Sequence, residues 1–406
     1  MRDVEAPGGR SELTHRPDRG NVGRGASPMP IVAAGRSSTV GRLARHLVAG
    51  VCAVAAGLFG VACVGRGSLE PPPFVAAARA DDWSPREAGI EWWYVAVMAP
   101  EEGVAVHFAF FKGRIPPEVG FLGLAARALY PHEVHVAHLG VTDLGADEHT
   151  TRERTDVPFG RVCVADAPLR LRIEDWSLVE DASDGSFRLD AGSVHVRLAP
   201  LRARTFHPPG FVGEARTGRL GYQSITRLAC CGTVAGRTIH GLAWMDHQWG
   251  DLAPGRTADW DWLALQTDDG SDVMVMRLRT PEGEPVAVSG SWTDAAGRTV
   301  ALHDARFEPT QWWTSSSGRA YPVAWRVHAE GLALDVRAER AEQELLSRTT
   351  GVAYWEGPVR CRGRIGGTTV RGAGMGETLS GAWKYARASC GVTGCAAASP
   401  TRCSPR

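Results

Sequence analysis

From Asp82 to about Tyr385 the sequence is a succession of short runs in which apolar and polar residues alternate, with turn residues returning roughly every 10 positions. Val104-Ala105-Val106-His107-Phe108-Ala109-Phe110-Phe111, Ser193-Val194-His195-Val196-Arg197-Leu198 and Asp272-Val273-Met274-Val275-Met276-Arg277-Leu278-Arg279 are such runs. Asp184-Gly185, Asp269-Gly270 and Pro281-Glu282-Gly283 supply turn chemistry between them. A period of two puts successive side chains on opposite faces of a strand. Many short strands at that spacing close into barrels or stack as sandwiches, so the class is all-β. Helical periodicity is scarce, and Arg337 to Arg348 is its best candidate.

A chain of 406 residues has room for two domains, and two antiparallel barrels of roughly 150 residues each fit the patterned region. The expected organisation is a disordered extension over 1–46, an apolar leader over 47–65 and a linker over 66–81. An N-terminal barrel over 82–240, a C-terminal barrel over 241–385 and a disordered tail over 386–406 follow. Arg42 and Arg45 precede an uncharged run from Leu47 to Val64, the order of a positive and then an apolar region in an export signal. The run is also just long enough to cross a bilayer, and Gly60-Val61-Ala62-Cys63 is an imperfect lipobox. Export to the periplasm, the medium or the outer face of the cytoplasmic membrane is therefore expected. Attachment through 47–64 or through lipid on Cys63 stays open, as does a start at Met29.

Charge excludes some partners. Forty-five basic residues balance 45 acidic ones, so no long-range field steers the chain onto nucleic acid. The nine cysteines contain no C-x-x-C pair, and Cys163 and Cys361, isolated in strand-like sequence, are expected to be buried thiols. No G-x-S-x-G elbow or P-loop is present, and Gly372-Ala373-Gly374-Met375-Gly376 lacks dinucleotide-binding spacing. The 14 tryptophans are the unusual number, because indole suits apolar cavities and the shielding of cations.

Four segments can carry chemistry. In Glu91-Trp92-Trp93-Tyr94, alternation puts Trp92 and Tyr94 on one face, as an aromatic wall or as filling at a barrel base. His132, His135 and His138 lie close together, yet strand geometry turns the first two apart; exposed or hydrogen-bonded histidines fit better than a zinc site, and no metal is expected. In Trp244-Met245-Asp246-His247-Gln248-Trp249, His247 and Trp249 share one face while Trp244 and Asp246 share the other. An imidazole beside an indole can transfer protons, or can satisfy a buried acceptor. In Asp259-Trp260-Asp261-Trp262 two carboxylates share one face and two indoles the other. A carboxyl group desolvated among indoles stays protonated near neutral pH, as a general acid must; a solvated acidic face is the alternative.

Together with Ala137-His138-Leu139-Gly140-Val141-Thr142-Asp143, Tyr222-Gln223-Ser224-Ile225-Thr226-Arg227-Leu228, Tyr354-Trp355-Glu356-Gly357 and Gly374-Met375-Gly376-Glu377-Thr378-Leu379-Ser380-Gly381, these segments resemble the carotenoid 1,2-hydratase (hydroxyneurosporene synthase) family with its AttH-like secreted members. The resemblance covers about 83–383. It implies two lipocalin-like barrels with an apolar ligand site between or within them. In the hydratase members an acid protonates a terminal isoprenoid double bond and water captures the tertiary cation. The resemblance places the family's His-x-Trp on His247 and Trp249 and its acid on Asp261, with Asp246 as the fallback. Trp260 or Trp262 then shields the cation, and Trp92, Tyr94, Tyr222 and Trp244 complete the aromatic lining. It implies no cofactor. The expected function is a cofactor-free hydratase or lyase on an apolar isoprenoid-like substrate. The alternatives are a non-catalytic lipocalin-like binder of apolar molecules at the cell envelope and a pericyclase-type pocket.

Overall fold

The computed structural model describes residues 83–379, apart from 115–119, 122–123, 126–132, 158–159, 215–217, 253–258 and 281–282. The expected extension, leader with Cys63, linker and C-terminal tail lie outside the described residues, as does His132. Among the described residues every regular element is a strand, and no helix is long and apolar enough to cross a membrane.

The first fourteen strands run β1 (Ile90–Ala99), β2 (Val104–Arg114), β3 (Gly120–Phe121), β4 (Leu124–Ala125), β5 (Glu133–Asp143), β6 (Glu148–Thr155) and β7 (Val162–Ala165). They continue through β8 (Arg170–Ile173), β9 (Trp176–Asp181), β10 (Ser186–Ala191), β11 (Val194–Pro200), β12 (Thr205–Glu214), β13 (Gly218–Val234) and β14 (Arg237–Leu252). The remainder are β15 (Asp259–Thr267), β16 (Asp272–Arg279), β17 (Pro285–Thr293), β18 (Thr299–Ala301) and β19 (Arg306–Thr314). Last come β20 (Ala320–Ala329), β21 (Leu332–Ala338), β22 (Glu344–Leu346), β23 (Ala353–Ile365) and β24 (Thr368–Leu379).

Two curled antiparallel sheets result. The first has the order β6-β5-β2-β1-β14-β13-β11-β10-β9-β8-β7, with β12 beside β13; the second has the order β18-β17-β16-β15-β24-β23-β21-β20-β19, with β22 beside β23. Because β14 pairs with both β1 and β13 along its length, Gly241–Leu252 stay in the first sheet. The passage between sheets therefore falls between Leu252 and Asp259, later than the expected division at 240/241. The expected helix is absent as well. Leu332, Leu334 and Val336 alternate into the second core, and Glu344–Leu346 pair with β23, so the two-residue period overrides the helical one.

Each sheet closes around its own core. Odd residues of β1 (Trp93, Val95, Val97, Ala99) join Phe108, Phe110, Leu171, Leu178 and Leu198 inside the first. Odd residues of β15 and β16 (Leu263, Leu265, Val273, Val275) join Trp325, Trp355 and Val359 inside the second. The even residues form a third core between the sheets, where β1 meets β24 and β2 meets β23. Tyr94, Trp244 and Trp262 meet there, and Met98, Met274, Met276 and Met375 fill the irregular space. Each such side chain removed from water contributes about 1.5–3 kcal/mol. Polar contacts fix the register between sheets: Asp272 accepts from Arg202 Nη1 (2.6 Å), Arg227 Nη2 (2.7 Å) and Thr226 Oγ1 (2.8 Å). Gln266 Nε2 donates to the carbonyls of Thr226 and Ala243. Cys361 is buried as expected, whereas Cys163, on the outer face of the short strand β7, is exposed.

Candidate functional site between the sheets

The two outer faces do not pack completely. They leave an apolar hollow of about 110 Å³. Its walls come from one face of each strand: the even positions Ile90, Trp92 and Tyr94 of β1, Asp246 and Gln248 of β14, Trp260 and Trp262 of β15, Met276 and Leu278 of β16, and Tyr354 and Glu356 of β23, with the odd positions Glu377 and Leu379 of β24. Trp92, Trp260 and Leu278 are half-buried at its rim, while Tyr94, Trp262 and Asp246 are buried in its depth.

Three carboxyl groups point into this hollow. Asp246 Oδ1 accepts from Ser224 Oγ and from Trp244 Nε1 (2.5 Å), and Oδ2 accepts from Tyr222 Oη (2.8 Å). Burial raises its pKa and those three donors lower it, with the balance at about 7. Glu356 and Glu377 are directly opposed on β23 and β24. Burial and then the neighbouring Glu377 push Glu356 well above the usual carboxylate range; burial and then Asp246 push Glu377 up, against the Trp260 indole N–H. Glu356 Oε2 stands 3.5 Å from His107 Nε2, and the buried Tyr94 phenol lies beside the Glu356 carboxyl group, its pKa raised by burial and then by Glu356. Burial keeps His107 neutral, and the ring lies against Gly140, where a Cβ would come within 2.1 Å of it. Across the hollow, Tyr354 Oη bonds His138 Nδ1 (2.8 Å), and His138 Nε2 faces Glu153 (3.2 Å).

Alternation therefore sorts the expected residues. Trp92, Tyr94, Trp260, Trp262 and Asp246 meet in the hollow. Tyr222 and Trp244 stand behind it as donors to Asp246, and Trp262 Nε1 donates to Tyr222 Oη (2.8 Å). Asp261 points the other way, into the second barrel. There Arg277 Nε (2.8 Å), Arg279 Nε (3.0 Å) and Thr378 Oγ1 (3.1 Å) bind it. Asp261 does not line the hollow, so it is not the acid of this site.

His247 and Trp249 also face away, into the first barrel. His247 is fully buried, stacked on Trp93 (4.8 Å, 10°) and tilted against Trp249 (4.8 Å). Gln223 Nε2 donates to its Nδ1 (3.1 Å), so Nε2 carries the proton to Glu91 (2.7 Å), which also pairs with Lys112 Nζ (2.6 Å). Burial first holds the imidazole pKa down, against Glu91. This cluster closes the barrel and does not touch the hollow. His135 is likewise a hydrogen-bonded core residue, paired with Asp156 (2.8 Å). Among the described residues no group of three or more His, Cys, Asp or Glu is placed to hold a metal ion.

The residues missed by sequence reasoning are Glu356, Glu377 and Tyr354. They lie in segments that carried the resemblance, but only the pairing of β23 with β24 shows that the two glutamates meet.

Comparison with known proteins agrees with this architecture. The structure of a candidate AttH from Nitrosomonas europaea superposes with a TM-score of 0.61 at 26% identity, over 75% of this chain and 98% of that one. Kievitone hydratase from Nectria haematococca has the same fold, with a TM-score of 0.57 at 14% identity, over 76% of this chain and 94% of that one. No curated protein matches the sequence significantly. The AttH-like family profile matches residues 71–381. The chain belongs to the AttH-like family.

Proposed function

We propose that the hollow adds water across a carbon–carbon double bond at the branched, apolar end of a small isoprenoid-like molecule. Asp246 acts as proton donor, and the Glu356–Glu377 pair as the base that receives the proton of water. The observation that carries this reading is the gathering of three carboxyl groups with raised pKa values in a space walled by Trp92, Trp260, Trp262 and Tyr94.

In the first step the Asp246 proton adds to one alkene carbon, and the π electrons form that C–H bond. The other carbon becomes a tertiary cation. Indole faces stabilise such a cation by about 1–2 kcal/mol each when desolvated, and the carboxylates add charge of the right sign. Water then attacks the cation, its lone pair forming the C–O bond, and the oxonium proton passes to the glutamate pair. Return of that proton to Asp246 completes the cycle with one water added. General acid catalysis of this kind contributes about 10²–10⁴-fold.

Size restricts the substrate. An apolar cavity of ~150 Å³ holds a benzene-sized molecule, so about 110 Å³ takes the reacting end, with the remainder passing out between Trp92 and Trp260. The shared scaffold of kievitone hydratase is compatible with water addition. The uncharged run behind Arg42 and Arg45 supports placing this activity outside the cytoplasm.

The test is incubation of the full chain with a panel of small branched isoprenoid alkenes in oxygen-18 water, followed by mass spectrometry. Tertiary alcohols carrying the heavy oxygen are expected. Tight binding of a panel member that is recovered unchanged overturns the reading in favour of a carrier.

A further inference from the structure

Behind Asp246, away from the hollow, lies a polar row that the reaction just described does not use. His207 of β12 is 1% exposed. Its Nε2 is 2.6 Å from Ser224 Oγ, and its Nδ1 is 2.6 Å from Ser291 Oγ of β17. Ser224 Oγ in turn bonds Asp246 Oδ1. The ring is stacked with Trp244 (4° between planes) and tilted against Tyr222 (4.5 Å), which hold it in place. Ser224 and Ser291 are as buried as the histidine, so the row is dry from end to end.

A neutral imidazole between two hydroxyls has one donor and one acceptor nitrogen. When Asp246 is a carboxylate, Ser224 must donate to it, so Ser224 accepts from Nε2–H and Ser291 donates to Nδ1. When Asp246 is protonated on Oδ1, every bond reverses: Asp246 donates to Ser224, Ser224 donates to Nε2, and Nδ1–H donates to Ser291. We infer that His207 is a tautomeric relay that exchanges the proton of Asp246 with Ser291, on the side of the molecule away from the hollow.

The transfer balances. A proton from bulk water reaches Ser291 Oγ, whose own proton passes to Nδ1. The Nε2 proton passes to Ser224 Oγ, and the Ser224 proton passes to Asp246 Oδ1. One proton enters and one is delivered. Imidazolium is not needed, and burial makes it inaccessible by holding the His207 pKa at about 3.

The row points outward. Thr293 lies two residues from Ser291 on β17, hence on the same face, and Thr205 precedes His207 by two residues, just before the register of β12 with β13 shifts. Both bond Thr299 Oγ1 at 2.9 Å, and Thr205 and Thr299 are half-buried. One strand repeat, about 7 Å, separates Ser291 from Thr293. The groups that face the relay are Tyr222 and Ser224 of β13, Trp244 and Asp246 of β14, and Ser291 of β17. Asp272 of β16, next along that face, is already paired with Arg202 and Arg227. Among the described residues Asp246 is thus the one carboxyl group bonded into the row.

His207 acts through Asp246, so it is a positioning residue. Its purpose rests on the reading of Asp246 as proton donor, because the relay sets the protonation of Asp246 while substrate fills the hollow, before the proton cycle between Asp246 and the glutamate pair begins. Its existence can be tested without substrate. In the ¹⁵N-labelled full chain, imidazole nitrogen shifts, with His207 assigned by comparison with H207Q, report the tautomer between about pH 5 and 9. The expected result is exchange of the Nδ1-protonated form for the Nε2-protonated form as pH rises through the Asp246 titration near 7. Asp246→Asn is expected to lock one tautomer at all pH values. Ser224→Ala, which leaves Asp246 in place, is expected to uncouple the ring equally. A His207 ring that keeps one tautomer throughout, or that titrates to imidazolium, overturns the relay and leaves the hydration chemistry to its own test. An intact tautomer exchange in a protein that hydrates nothing leaves the relay standing.

Discussion

Glu356 and Glu377 occupy directly opposed positions on β23 and β24, both turned into the hollow between the sheets. Like charges placed opposite one another destabilise a sheet, and burial denies them water. The pair therefore holds a proton at neutral pH. The sheet tolerates this repulsion at the place where a protonatable pair is chemically useful, next to Asp246 and the Trp260 indole.

That arrangement has a stability consequence. A carboxyl group whose folded pKa is raised contributes stability below its unfolded pKa and loses it as pH rises through the folded value. Glu377→Gln removes this loss. Its stability relative to the unaltered chain is expected to increase between about pH 5 and 8, by up to about 1.4 kcal/mol for each pH unit of the window. Paired urea titrations across that range check it, and a difference that does not change with pH rejects the shared proton.

Asp246→Asn is expected to lower kcat by about 10²–10⁴-fold with little change in affinity for the apolar ligand. The amide keeps the shape and one acceptor oxygen, but its NH2 donates where a carboxylate oxygen accepted, and it carries no acidic proton. Measured turnover beside ligand titration by indole fluorescence separates the two effects. Equal loss of binding and turnover would make Asp246 a binding residue only.

Asp261→Asn is expected to act on the fold instead. It leaves Arg277 and Arg279 inside the second barrel without their carboxylate, and breaking a buried pair costs about 3–5 kcal/mol. The urea midpoint should fall markedly, with turnover per folded molecule retained. Turnover lost at unchanged stability would return Asp261 to the chemistry.

Much of this was legible in the sequence because a strand has only two faces. Alternation alone separates Trp92, Tyr94, Trp244, Asp246, Trp260 and Trp262 from Trp93, His247, Trp249, Asp259 and Asp261, and the structure keeps that division. What alternation leaves undecided is which face looks into a barrel and which looks across to the other sheet. His247 and Asp261 were therefore placed at the site when each serves the interior of its own barrel. Pairing across strands was equally out of reach: nothing local to Glu356 or Glu377 announces the other, and His207 lies 84 residues from the Ser291 it bonds.

The phenol of Tyr222 gives the most direct handle on the proton donor. Its hydroxyl donates to Asp246 Oδ2 and itself receives the Trp262 indole N–H, so it delivers a second polarised bond to the carboxylate. A donor to the charged form lowers a carboxyl pKa, and here it offsets part of the rise caused by burial. Tyr222→Phe removes it, so the Asp246 pKa should climb above about 7. A hydrogen bond to a charged group contributes about 1.5–3 kcal/mol, equivalent to roughly 1–2 pH units. Because the donor works in its protonated form, activity falls as pH rises through this pKa. The alkaline limb of the kcat profile should therefore move to higher pH by that amount, with kcat on the acid side little changed. A limb that stays in place, or moves to lower pH, means that the proton delivered to substrate does not come from Asp246.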